Sequence, residues 1–555
     1  MTRVRIAHLA GPTATIQNTP PLVTSDKARA RAGLPLRGPK YDALRAQKLA
    51  APAKVYVEQF SAHPLERDAA ALYGPPDGYM SAAGFSTEKT SEDDVPVYEI
   101  ELSPEDGLYP LPYMALQSDG SAWEEECTVP GGDKARQGFF PDGSRSFDEI
   151  DRLQVGVDGT SGLISALADV DFYRPAPPGG WRNGLPGAQR SDTGEGDIPP
   201  EAMGQDFYAY KPYHLAMSPP RPMLAKITND VQAIADNPAY DGLVWTQGSP
   251  QVEESAYWFN LLIDTDKPIS CNAAQRPQGQ ISADGPANIY DSVRYISSGI
   301  WKDGAGGNRC GTVVIQEQQM FAAREVQKVD ARPGGYVATG GHGGIIGQLT
   351  HHGVPYVTYL PAYKYCANSE LTLKKLPDTV KAAQMDDSGK VSVIDCSVKE
   401  DGQLLASAIP SVAIIKDGGY GAEEFGDDEA MEAELAFTIR HKMSLGRPAG
   451  FIIEGLVPYG MATSELRMNM LRRAIYAGAP VVKTGRAAME GFADVDGLTI
   501  AGLNLTATKA RLLLMACLLK LGSLPVAADP ANPTEAERAA TAEAVAAFQA
   551  LFDTH

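Results

Sequence analysis

The chain has 555 residues, enough for two to four domains and at least one large core. Hydrophobic residues make up 43% and charged residues 21%, and the net charge of −20 argues against a nucleic-acid partner, because phosphate neutralisation needs clustered Lys and Arg. The six cysteines, at 127, 271, 310, 366, 396 and 517, show no CxxC spacing, so they read as reduced structural thiols rather than a zinc ribbon or disulfide framework.

In chain order, residues 2–10 lack a long apolar core and read as a first strand rather than a signal peptide. With no stretch as long as a membrane span, the expected location is the cytoplasm. Residues 18–213 are rich in Pro, Gly and Tyr and form a long insertion, β-rich or irregular, in which Val95–Leu102 alternates like a strand. Such a stretch can also lid a pocket. From Met223 the pattern changes. Leu224, Ile227, Val231 and Ile234 share one helical face, followed by strand 242–246, helix 250–262, strand 268–273, a helix after Gly285-Pro286 and strand 311–315. Repeated β-α-β units predict a parallel sheet covered on both faces. A polar linker spans 366–405. A second block then has strands at 412–415, 451–453 and 480–482 and a helix at 465–476. Its last helix opens on a capping box, Thr534 with Glu537, and carries an apolar face of Val545, Phe548 and Phe552. The expected fold is therefore α/β with mostly parallel sheets: a larger domain over 1–365, including the insertion, and a smaller one over 406–555.

The stretch TQGSPQVEES, 246–255, places Ser249 between a strand and a helix. Two readings stand there. Serine before proline suits the N-cap and first positions of a helix. A strand-to-helix turn is also where α/β enzymes place reactive groups.

Several ordered motifs carry a resemblance. TQGSPQVEESAYWFNL (246–261), DKP (266–268), QRP (275–277), ISADGPANIY (281–290), AREVQK (323–328), GIIG (344–347) and KARLLLM (509–515) closely resemble the core of bacterial-type L-asparaginases and glutaminases. The resemblance implies a larger N-terminal and a smaller C-terminal α/β domain, with active sites where subunits of a homo-oligomer, dimer or tetramer, meet. It implies hydrolysis of a small-molecule amide by hydroxyl nucleophiles, with no metal or organic cofactor.

Family roles carry over where residues match. Ser249 stands at the second catalytic threonine, and Lys328 stands at its paired lysine. A hydroxyl cannot attack an amide unaided, and a lysine kept neutral by burial can take its proton. The first nucleophile falls in LAGPTATI (9–16), one residue longer than the family's pattern, with Thr15 the choice and Thr13 the alternative. Ser218 corresponds to a substrate-carboxylate serine, Asp494 to a glutamate given by a neighbouring subunit, and backbone N–H groups beside Gly248 to the oxyanion donors.

The departures point elsewhere. The family's aspartate after the second threonine, which grips the substrate's α-ammonium, is Pro250 here, and the histidine before the glycine is Gln247. Proline offers neither charge nor acceptor side chain. The same bond class on a substrate other than free L-asparagine, such as a larger, N-substituted or cyclic amide, is the expectation. Three rivals remain: a genuine asparaginase or glutaminase with a relocated anchor such as Glu253, a non-catalytic binding protein on the same fold, and a subunit feeding ammonia to a synthetase.

Overall fold

The computed structural model describes residues 4–11, 53–57, 77–81, 84–92, 94–102, 170–173, 220–238, 240–276, 284–332, 334–338, 344–350, 352–417, 432–456, 460–462, 464–486 and 497–555. Among the described residues the helices are, in chain order, α1 (Met223–Asp236), α2 (Val252–Leu262), α3 (Gly285–Ser298), α4 (Ala433–Met443), α5 (Glu465–Tyr476), α6 (Ala507–Leu521) and α7 (Glu535–Phe552). None of them is long and apolar enough to cross a membrane. The chain divides into two compact units, one of 1–219, 238–252 and 269–299, the other of 220–237, 253–268 and 300–555.

In the first unit, β1 (Val4–Ala10) lies parallel between β6 (Val170–Tyr173) and β7 (Gly242–Thr246), and β8 (Ile269–Asn272) continues the sheet beyond β7. The strand GLVWT of β7 is buried along its whole length, as a continuous apolar run covered on both faces must be. Helix α3 packs on β7 and β8. The β8–α3 connection is pinned by the Asp284 carboxylate, which accepts from the backbone N–H groups of Gln275 and Arg276 and from Asn288 Nδ2. Four strands of the 18–213 stretch, β2 (Ala53–Val57), β3 (Gly78–Ser81), β4 (Gly84–Ser86) and β5 (Val95–Leu102), form an antiparallel sheet in the order β2-β5-β3-β4. The strand expected at Val95–Leu102 is thus present.

In the second unit, β9 (Thr312–Gln316), β10 (Gln319–Ala322), β13 (Ile345–Leu349) and β14 (Pro355–Val357) pair antiparallel in that order. The short ribbon of β11 (Val326–Lys328) and β12 (Tyr336–Ala338) stands apart from them. The segment read as a polar linker, 366–405, holds the antiparallel hairpin β15 (Thr379–Met385) and β16 (Val391–Ser397), then β17 (Lys399–Glu400) paired with β18 (Gln403–Leu404). Asp386 closes the hairpin by accepting from Ser388 N and Lys390 N, and Gly389 takes the left-handed conformation the turn needs, φ +84°. A parallel sheet, β19 (Ser411–Lys416), β20 (Ala449–Gly455), β21 (Val481–Gly485) and β22 (Ile500–Ala501), is covered by α6, whose residues are buried almost all round. Helix α7 starts at the expected Thr534–Glu537 capping box and buries Val545, Phe548 and Phe552. The expected α/β class is what the described residues show, with parallel sheets at β6-β1-β7-β8 and β19-β20-β21-β22 and antiparallel pairing among the other strands.

The buried face of α1 differs from the apolar reading. Ile227 and Val231 are buried, but so are Thr228 and Gln232, while Leu224 and Ile234 are half-buried. Polar groups tolerate that face because each is paired: Trp258 Nε1 donates to Thr228 Oγ1 at 2.8 Å, and Gln232 both donates to Asp264 O and accepts from Asp264 N.

Candidate active site

The parallel strands of the first unit end level with one another. Ala10 pairs with Thr246 and Thr246 with Asn272, after which Gly11 N donates to Thr246 O and Gln247 N donates to Asn272 O. This carboxyl edge is where open α/β sheets present their chemistry. The turn Gln247-Gly248-Ser249-Pro250 leaves it, and Val252 N donates back to Gly248 O at 3.2 Å. Helix α2 begins at Val252 rather than at 250, so the position before it is Gln251 and Ser249 lies two residues earlier. The regular helix thus starts two residues later than the position expected from Ser-Pro, after a turn closed by the Val252 N to Gly248 O bond. Gly248 and Ser249 are both half-buried in the turn.

Gln247 holds a fixed orientation there. Trp245 Nε1, a donor only, lies 2.9 Å from Gln247 Oε1, which settles which end of the amide is which. The side chain lies over Gly11: a Cβ on that glycine would sit 2.8 Å from Gln247 Cγ and 2.8 Å from Trp245 Cζ2. Only glycine lets the end of β1 and this glutamine share the space.

Lys328, in the second unit, closes β11 and is half-buried, with its Nζ 5.6 Å from the centre of the Tyr336 ring. Its backbone N–H donates to Glu253 Oε2 at 2.6 Å. Burial raises the Glu253 carboxyl above its ordinary range, against the lowering pull of Lys509. Lys509 is 2% exposed and donates from Nζ to the carbonyl oxygens of Glu253 and Ala323 at 2.7 and 2.5 Å. Burial lowers its ammonium to about 8. The deeply buried lysine of this cluster is therefore Lys509, which ties the first turn of α2 to the strand leading to Lys328. Glu254 is also engaged, with Arg511 Nη2 at 3.2 Å.

Of the residues expected at the site, Ser249 and Gly248 share one turn of the first unit and Lys328 lies in the second. Thr15, its alternative Thr13, Ser218 and Asp494 lie outside the described residues. Sequence reasoning gave no role to Lys509 and treated Glu253 only as a possible anchor. The signal for both was the spacing of KAR and EE within family motifs, which says nothing of pairing. Among the described residues no cluster of three His, Cys, Asp or Glu side chains is placed to hold a metal ion. The five described cysteines are buried thiols.

Ser249 thus lies in the turn at the carboxyl edge of a parallel sheet, with a helix following. Residues 217–345 match the family described as Asparaginase, N-terminal. The glutaminase-asparaginase of Acinetobacter glutaminasificans is 32% identical over 154 residues, 28% of this chain and 44% of that protein. The glutaminase-asparaginase of Pseudomonas fluorescens biotype A is 33% identical over 190 residues, 34% of this chain and 48% of its own. L-asparaginase 2 of Escherichia coli is 32% identical over 143 residues, 25% and 38% of the two chains. Residues 217–345 are thus similar to the N-terminal region of the asparaginase family, and the chain spans less than half the length of each of these curated relatives.

Proposed function

We propose that this protein is an amidohydrolase that splits the C–N bond of a non-peptide carboxamide through a hydroxyl nucleophile. The observation that carries the reading is the place of Ser249, in the turn leaving the carboxyl edge of the β6-β1-β7-β8 sheet, inside the stretch that matches the family. In this reading Ser249 or Thr15 attacks the carbonyl carbon and passes its proton, with Lys328 as base, to the departing nitrogen. Backbone N–H groups beside Gly248 take the charge on the carbonyl oxygen. The nitrogen takes that proton and leaves as ammonia from a primary amide, as an amine from an N-substituted one, or as the freed amino end of an opened ring. Water then splits the ester, its hydroxyl going to the acyl carbon and its hydrogen back to the nucleophile oxygen. Ser218 and Asp494 hold the substrate, and the working form is a cytoplasmic homo-oligomer.

The substrate in this proposal is not free L-asparagine. Pro250 stands where the resemblance expects the ammonium anchor, and a buried ammonium without a partner costs several kcal/mol. The relocated anchor Glu253 is a poor substitute, since it accepts the Lys328 N–H and burial disfavours its charge. A larger, N-substituted or cyclic amide fits the site better.

Release of ammonia or amine, or ring opening, by the full chain on a panel of primary, N-substituted and cyclic amides, L-asparagine and L-glutamine included, tests this. Ser249→Ala and Lys328→Met are expected to lower kcat on the best substrate by about a hundredfold or more. Unchanged rates in both variants refute the mechanism; fastest turnover of L-asparagine refutes the substrate reading alone.

A further inference from the structure

We infer that the turn after β7 selects substrates whose α-nitrogen is acylated, with Gln247 Nε2 donating a hydrogen bond to the acyl oxygen. The inference takes the location of the site from the amide-hydrolysis reading and adds its substrate class.

The amide of Gln247 has one end occupied. Its Oε1 is committed to Trp245 Nε1, so Nε2, a donor, is the end left over, and it carries no hydrogen bond among the described residues. At 6% exposure the side chain cannot swing aside, being wedged between Trp245 and the space a Cβ would need on Gly11. The site thus offers a fixed donor at the join of the two strand ends.

Residues 242–252 contain no Asp or Glu. The first acids of α2 are both engaged within the second unit, Glu253 with Lys328 N and Glu254 with Arg511. A free α-ammonium brings three donors and a charge, and along residues 242–252 it meets another donor and no carboxylate. Acylation changes both properties at once: it removes the charge and adds a carbonyl oxygen, the acceptor that Nε2 lacks. Proline at 250 and glutamine at 247 therefore act together, one deleting an acceptor and the other presenting a donor.

The test uses product-like probes, which bind without turnover. Calorimetric titration of the full chain with N-acetyl-L-aspartate and L-aspartate is expected to show the acetylated compound binding at least about tenfold more tightly. Gln247→Glu keeps an acceptor for Trp245 and removes the donor, so it should erase the preference while the melting temperature stays near that of the wild type. Gln247→Met, which removes the donor without adding charge, should do the same if the glutamate variant folds poorly. Pro250→Asp should shift the preference toward L-aspartate. Equal or tighter binding of L-aspartate to the wild type, no binding of N-acetyl-L-aspartate, or a preference that survives both Gln247 variants would overturn the inference. If the preference holds but N-acetyl-L-asparagine releases no ammonia, the selectivity stands and the hydrolytic reading falls.

Discussion

Replacing Asp291 by asparagine should change how stability depends on pH, and the size of the change follows from burial. Asp291 sits in α3, is 4% exposed, and among the described residues makes no ion pair. Burial raises its carboxyl from 3.8 to about 7. Each tenfold change in proton affinity is worth about 1.4 kcal/mol, so the difference between folded and unfolded chains amounts to about 4 kcal/mol. Which state holds the proton sets the direction. Well below pH 4 both folded and unfolded chains are protonated at this group, and its stabilising contribution is intact. As pH rises toward 7 the unfolded chain ionises first, so the contribution drains away and the loss is complete above the folded value. An amide at this position does not titrate and suffers no such loss. The variant Asp291→Asn should therefore gain on the wild type by about 4 kcal/mol between pH 4 and pH 8. Urea unfolding at both pH values, paired with native-state hydrogen exchange of the α3 amides, measures the gap. A gap constant to within about 1 kcal/mol across that range would refute the reasoning.

Two further outcomes concern the supports of the site. Lys509→Met strips two buried carbonyls of their donor and should cost about 2–4 kcal/mol. Because the folded ammonium is lowered to about 8, wild-type stability is lost as pH falls from the ordinary lysine range toward that value, so the gap to the variant should widen from pH 7 to pH 10 in denaturation curves. Gly11→Ala forces a methyl to within 2.8 Å of Gln247 Cγ, and should cost about 1–3 kcal/mol in the same assay, with the Trp245 fluorescence shifted as the glutamine moves off its nitrogen.

The parts of the fold legible in the sequence are those where one physical signal dominates. β7 is found where a run of buried apolar residues announced it, α5 spans the expected Glu465–Tyr476, and the capping box of α7 is present. Apolar periodicity misplaced the inner face of α1, because Thr228 and Gln232 are buried through hydrogen bonds to residues distant in sequence. The hairpin β15–β16 was hidden by its exposure: most of β16 faces solvent, so its polar sequence resembles a linker. At the site, Ser249 lies in a turn and Lys328 ends a strand, while α2 starts at Val252 rather than at the expected 250, because a turn closed by Val252 N and Gly248 O comes before the regular helix. The orientation of Gln247 depends on Trp245, two residues away at the strand end, a pairing no spacing rule encodes.

Strand β6 comes from within the long insertion, yet it hydrogen-bonds along the flank of β1 that β7 leaves open. A trimmed variant lacking 18–213 would strip that flank and offer a bare row of amides and carbonyls to any neighbouring chain. Shortening this protein toward the size of its relatives thus calls for a replacement strand or a charged border, or the product will clump before its chemistry can be assayed.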